Sequence, residues 1–173
     1  MKSLIALISA LLIAGCAAYD GRGLGLGVSS HAEVVRLMGE PALRFVEPDG
    51  SQVLVYPRGP AGFQTYMLRI DASGILTRRE NVLDQKHFAR LQSGMTQDAV
   101  LRIIGPPWPD WTMYFAARDE LVWEWRWCDD FNEPARFNAL FDGHSGKLRS
   151  TLNLAERLSM PFGQGDRRSW CGH

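Results

Sequence analysis

The sequence holds 173 residues, 46% of them hydrophobic and 22% charged, with 19 basic residues balancing 19 acidic ones. That length fits one domain or two small ones, and the composition excludes both a disordered chain and a multispan membrane protein. It also lacks the basic excess or stripe by which nucleic-acid binders neutralise phosphates, since Arg78-Arg79 and Arg167-Arg168 are isolated pairs that read as solvated surface.

The chain opens with a short cationic start, Met1-Lys2-Ser3, and continues with an apolar run from Leu4 to Ile13. A helix of that length reaches about 15 Å, half a bilayer core, so the run reads as a secretory signal rather than a membrane span. Directly after it, Leu12-Ile13-Ala14-Gly15-Cys16 resembles the bacterial lipobox. That resemblance implies removal of residues 1–15 and attachment of acyl chains such as palmitate to Cys16. Two or three such chains hold a protein firmly on a bilayer, where one binds only reversibly. Ala17 stands where the inner-membrane retention signal would place Asp, which implies an outer-membrane lipoprotein facing the periplasm. The glycines between Ala17 and Gly27 lack the Gly-x-Gly-x-x-Gly spacing, and no strand precedes them. They read as a flexible tether rather than a dinucleotide loop.

Two copies of one unit follow. Ser30 to Pro41 aligns without a gap on Thr96 to Pro107, 66 residues further on. Each copy starts at a hydroxyl N-cap, and Ser30 with Glu33 makes a capping box. Apolar residues at 34, 35, 37 and 38, and again at 100, 101, 103 and 104, form one helical face. Each helix stops at Gly-x-Pro, where Gly takes a left-handed cap and Pro bars continuation.

Candidate strands then run over 43–47, 52–56, 64–70 and 75–79 in the first copy, and over 112–116, 121–128, 136–141 and 147–152 in the second. The last two strands of each copy are joined by Asp71-Ala72-Ser73-Gly74 and by Asp142-Gly143-His144-Ser145-Gly146, both hairpin turns. The second copy carries an extra helix over 84–91.

The expected fold is therefore α+β, with two tandem units side by side, each one or two helices packed on a three- or four-stranded antiparallel sheet. The expected boundaries are a signal peptide at 1–15, the lipidated Cys and tether at 16–27, a first unit at 28–81, a second unit at 82–155 and a tail at 156–173.

Phe88 with Leu91, then Ser93-Gly94-Met95-Thr96, Val100 and Ile104-Gly105-Pro106-Pro107 resemble the signature of the SmpA/OmlA (BamE-like) lipoprotein family. The likeness continues through Val122-Trp123-Glu124-Trp125 and closes at Ala139-Leu140-Phe141-Asp142 and Gly146-Lys147-Leu148, covering Phe88 to about Leu154. The first copy matches more loosely, because Val28 stands where the motif has Gly, one position out of register with Gly27. The tandem arrangement also resembles that of the β-lactamase inhibitory protein, whose two sheets form a concave enzyme-gripping surface. The family resemblance implies a periplasmic partner of the outer-membrane β-barrel assembly machinery.

No catalytic constellation is legible. His31, His87, His144 and His173 lack metalloprotease spacing, and there is no Gly-x-Ser-x-Gly elbow. Asp142-x-His144 reads as a solvated turn rather than two corners of a triad. Cys128 and Cys171 with His173 fall short of a closed zinc site. With Cys16 lipidated, the two remaining cysteines in an oxidising periplasm pair better as a disulfide, closing a loop of about 43 residues worth on the order of 4 kcal/mol.

In Trp123-Glu124-Trp125-Arg126-Trp127 the indoles share one strand face. They form either the second core, beneath Val100, Leu101 and Ile104, or an exposed aromatic platform for a partner, with Trp123 and Trp125 as contacts. Trp108 and Trp111, in a stiff Pro-rich loop, are further candidate contacts.

The expectation is a non-enzymatic protein-binding module without cofactor or metal, serving outer-membrane protein assembly or envelope integrity. Its partners would be envelope proteins and, through the Cys16 lipid, the membrane, with no nucleic acid and no small-molecule substrate. The alternative is a proteinaceous inhibitor of a periplasmic or secreted enzyme.

Overall fold

The computed structural model describes residues 20–156 and Cys171. The apolar run expected to be a signal, the expected lipidation site Cys16, and nearly all of the 156–173 tail lie outside the described residues. Within them the fold is α+β, with two four-stranded antiparallel sheets and few helices. Helix α1 (His31–Met38) precedes β1 (Leu43–Val46), β2 (Gln52–Pro57), β3 (Thr65–Ile70) and β4 (Leu76–Asn81). A second set follows: α2 (Gln85–Phe88), α3 (Gln97–Ile104), β5 (Met113–Phe115), β6 (Glu120–Cys128), β7 (Pro134–Asp142) and β8 (Leu148–Ala155). Both sheets keep sequence order, β1-β2-β3-β4 and β5-β6-β7-β8.

The local geometry of the two copies matches closely. Ser30 and Thr96 cap their helices through side chains that accept from the Glu33 and Ala99 N–H groups. Each N-cap also bridges to the start of the last strand of its set, Ser30 to Ile75 and Thr96 to Lys147. The helix stops differ from the left-handed cap expected. Gly39 lies at φ 82, ψ −171 and Gly105 at φ 75, ψ −174, an extended, positive-φ region open essentially to glycine alone. The Gly N–H still closes the last turn, onto Val35 O and Leu101 O, before the chain leaves straight into Pro41 or Pro107.

The apparent slip of the first copy resolves in the same way. The Gly27 N–H donates to Leu76 O and Leu76 N donates to Ser29 O, as Gly94 N donates to Leu148 O and Leu148 N to Met95 O. Gly27 thus does the work of Gly94, and the extra residue, Val28, is thrown outward at 77% exposure.

The expected tether does not run as far as Gly27. Among the described residues, 20–27 form turns closed by Leu24 N to Gly21 O and Ser29 N to Gly25 O, and Arg79 donates to Gly21 O. Gly21 is buried because its bare backbone fits beside Met38 and Arg79.

Helix α2 is also shorter than the 84–91 expected. After Phe88 the bonds tighten to Arg90 N–His87 O and Leu91 N–Phe88 O, a 3-10 ending.

The described chain divides into two compact units, 20–54 with 68–79 and 55–67 with 80–156 and Cys171. Buried residues of the first are Val34 and Met38 of α1 with Leu54, Leu68, Ile70 and Leu76. The second unit gathers the far end of the β2–β3 hairpin. Thr65 N donates to Asn81 Oδ1, Val82 N donates to Thr65 O, and Gly105 approaches Thr65 and Val55.

Candidate protein-binding surfaces

The indoles of β6 settle first. Trp125 and Trp127 are 3% and 1% exposed, and Trp123 is buried with them. They join Phe88, Val100, Ile104, Phe137 and Phe141 in one core. Phe88 stacks on Phe137 at 3.8 Å between centroids and meets Trp127 edge-on at 4.9 Å. Of the two readings open for these indoles, the core is the one found, and Trp123 and Trp125 are not exposed contacts. β6 lies between β5 and β7, and the helical segments α2 and α3 cover that face, so its indoles are almost wholly withdrawn from solvent. The Trp127 Nε1–H donates to Asn153 Oδ1 at 3.0 Å.

Alternation sends Glu124 and Arg126 to the opposite face, and the register sets Arg126 directly across from Arg136. Like charges in that position repel. Glu156 answers both. Its Oε2 accepts from Arg126 Nε at 3.0 Å and its Oε1 from Arg136 Nε at 2.9 Å, while Glu124 Oε1 accepts from Arg136 at 2.7 Å. Aromatic rings cover the guanidinium faces, Phe63 over Arg126 at 4.2 Å and Trp111 over Arg136 at 4.1 Å. Stacked on a ring and held along its edge, each guanidinium is turned inward to the network rather than to a ligand. Trp111 is thus half-buried lid rather than free contact, and Trp108, also half-buried, donates to Asp110.

Asp142, Asp71 and His87 are similarly occupied. Asp142 Oδ1 accepts from the Ser145 N–H and hydroxyl and its Oδ2 from Arg149, which together hold its carboxyl well below the usual range. It does not turn to the exposed His144, so the two are no dyad. Asp71 repeats the motif with Ser73 and is lowered too, by hydrogen bonds from the Ser73 hydroxyl and the Ile75 N–H. Buried His87 is fixed between Asp84, at 2.6 Å from Nδ1, and Glu80, at 3.6 Å from Nε2. Among the described residues no three metal-ligating side chains gather.

Cys128 and Cys171 are joined in a disulfide with Cα atoms 5.8 Å apart. Cys171 N donates to Asn132 O, fastening this residue to the β6–β7 turn.

An open feature of the second unit is the β5 edge of its sheet. Met113, Tyr114 and Phe115 of β5 are 55%, 55% and 37% exposed, and among the described residues β5 pairs with β6 alone. Among the described residues four strands lie at sheet edges. β1 carries Arg44, β4 carries Arg78, Arg79 and Glu80, and β8 carries Arg149, whereas β5 carries no charge. Charged side chains are the usual protection of an edge against pairing with another chain. Sequence reasoning placed a strand here without marking it as a surface. The available signal was an uncharged aromatic-rich triplet directly after a Pro-rich loop.

No protein-family model, no curated protein and no solved structure matches the chain.

Proposed function

We propose that this is an outer-membrane lipoprotein, anchored through Cys16 and facing the periplasm, that binds envelope proteins without catalysing a reaction, in outer-membrane protein assembly or envelope integrity. One observation carries the binding reading: β5 is an uncharged, apolar and exposed sheet edge. Such an edge accepts a short extended segment of a partner through main-chain hydrogen bonds, with Met113, Tyr114 and Phe115 contributing apolar contact. The lipobox and Ala17 support the address. Residues 88–154, which resemble the SmpA/OmlA signature, support the envelope role.

The test is complementation of a deletion strain, read as resistance to detergents and large antibiotics. The wild-type chain restores the barrier. Cys16→Ser, which loses the anchor, does not, and neither does Met113→Lys/Phe115→Lys, which charges the edge while sparing the Tyr114–Asp119 hydrogen bond. Full rescue by the edge variant at wild-type abundance removes the basis of the reading.

A further inference from the structure

The most exposed large apolar side chain among the described residues is Phe131, at 83%. It sits at the tip of the turn joining β6 to β7, Asp129-Asp130-Phe131-Asn132-Glu133. This turn is held rigidly. Asp129 Oδ1 accepts from both Phe131 N and Glu133 N, at 2.9 and 2.8 Å. Asp129 N donates to Glu133 O, and Asn132 N donates to Asp129 O. Asn132 adopts φ 61, a left-handed conformation that Asn tolerates better than most residues. The disulfide from Cys128 lies at the base of the turn, where Cys171 N holds Asn132 O.

An aromatic ring left in water gains nothing for the fold, yet this one stands on a turn braced by its own hydrogen bonds and by the Cys171 linkage. Bracing removes the ordering cost that a loose loop incurs on binding, and a single buried aromatic is the usual energetic centre of a protein interface. Within the same turn, the carboxylates of Asp130 and Glu133 are both exposed. A bilayer surface bearing anionic headgroups repels such a tip. A protein pocket that is apolar at its floor and lined with Lys or Arg at its rim complements it.

We infer that the β6–β7 turn is a preformed docking finger. It inserts Phe131 into an apolar, basic-rimmed pocket of an envelope protein, with Asp130 and Glu133 meeting the rim. This rests on the protein-binding reading and adds a second contact at the opposite end of β6 from the β5 edge.

The experiment places a photo-crosslinking phenylalanine analogue at position 131, and separately at 114, in the full lipidated chain in its own cells. The protein captured from 131 is then purified and its affinity for the chain measured. Phe131→Ala is expected to weaken binding about thirtyfold, as for an interface hot spot, while Phe131→Trp retains it. Asp130→Lys/Glu133→Lys is expected to weaken binding and abolish its salt dependence. Undiminished binding by Phe131→Ala overturns the inference. So does crosslinking of 131 to lipid, accompanied by Phe131-dependent binding to vesicles of phosphatidylethanolamine and phosphatidylglycerol. Protein adducts from 114 with none from 131 overturn the finger and leave the binding reading standing. Adducts from neither position overturn both. Phe131 touches no core residue, so an intact thermal transition in each variant separates lost binding from lost fold.

Discussion

Gly39 and Gly105 occupy equivalent helix stops with nearly the same backbone angles, yet their surroundings differ. A Cβ on Gly39 meets nothing within 4 Å, whereas one on Gly105 lies 2.7 Å from Thr65 Cγ2 and 3.0 Å from Val55 Cγ1. Gly39→Ala therefore incurs backbone strain alone, about 1–3 kcal/mol. Gly105→Ala adds a clash with two buried side chains, for a total of about 3–5 kcal/mol. Urea denaturation of the two variants checks this, and equal losses would show that the close packing at Gly105 is readily relieved. The glycine requirement itself is legible in the sequence, from the Gly-x-Pro stop. The neighbours are not, because Val55 and Thr65 come from a hairpin distant in the chain.

At the scale of elements, β6 and β7 explain why a sheet with a tryptophan core on one side carries a charge network on the other. Period-two alternation places Trp123, Trp125 and Trp127 on one face and Glu124 and Arg126 on the opposite one. That much the sequence shows. The register then sets Arg126 across from Arg136, and Glu156, following the end of β8, bridges the two guanidiniums. Glu156→Gln should lower stability by about 3 kcal/mol, because it leaves two mostly buried guanidiniums facing each other. Removing one of them as well, in Arg126→Met/Glu156→Gln, should cost less than the sum of the single changes, with a coupling of about 1–3 kcal/mol in a double-mutant cycle. Additive losses would mean that the network is screened by water and is not a unit. Glu156 was invisible as a partner beforehand, since its assignment depends on where β8 ends.

For the whole molecule, the disulfide between Cys128 and Cys171 links the end of β6 to a residue 43 positions along the chain. Constraining a loop of that length in the unfolded state is worth about 4 kcal/mol, so Cys128→Ser/Cys171→Ser should unfold at distinctly lower urea, and reductant should reproduce the shift in wild type. An unchanged midpoint in both would show that the linkage constrains little.

Composition, the helix period and the repeated Gly-x-Pro stops were enough to determine the α+β class and the duplicated unit, because these are local rules read within a dozen residues. Cysteine counting also pointed to Cys128 and Cys171 as a pair. What only the tertiary structure decided was exposure. The β6 indoles, for which a core and an exposed platform were both open, are buried, Trp111 lies over Arg136, and β5 with Phe131 is left facing water. Burial depends on which elements come to lie over a face, and that is set by contacts between residues far apart in sequence.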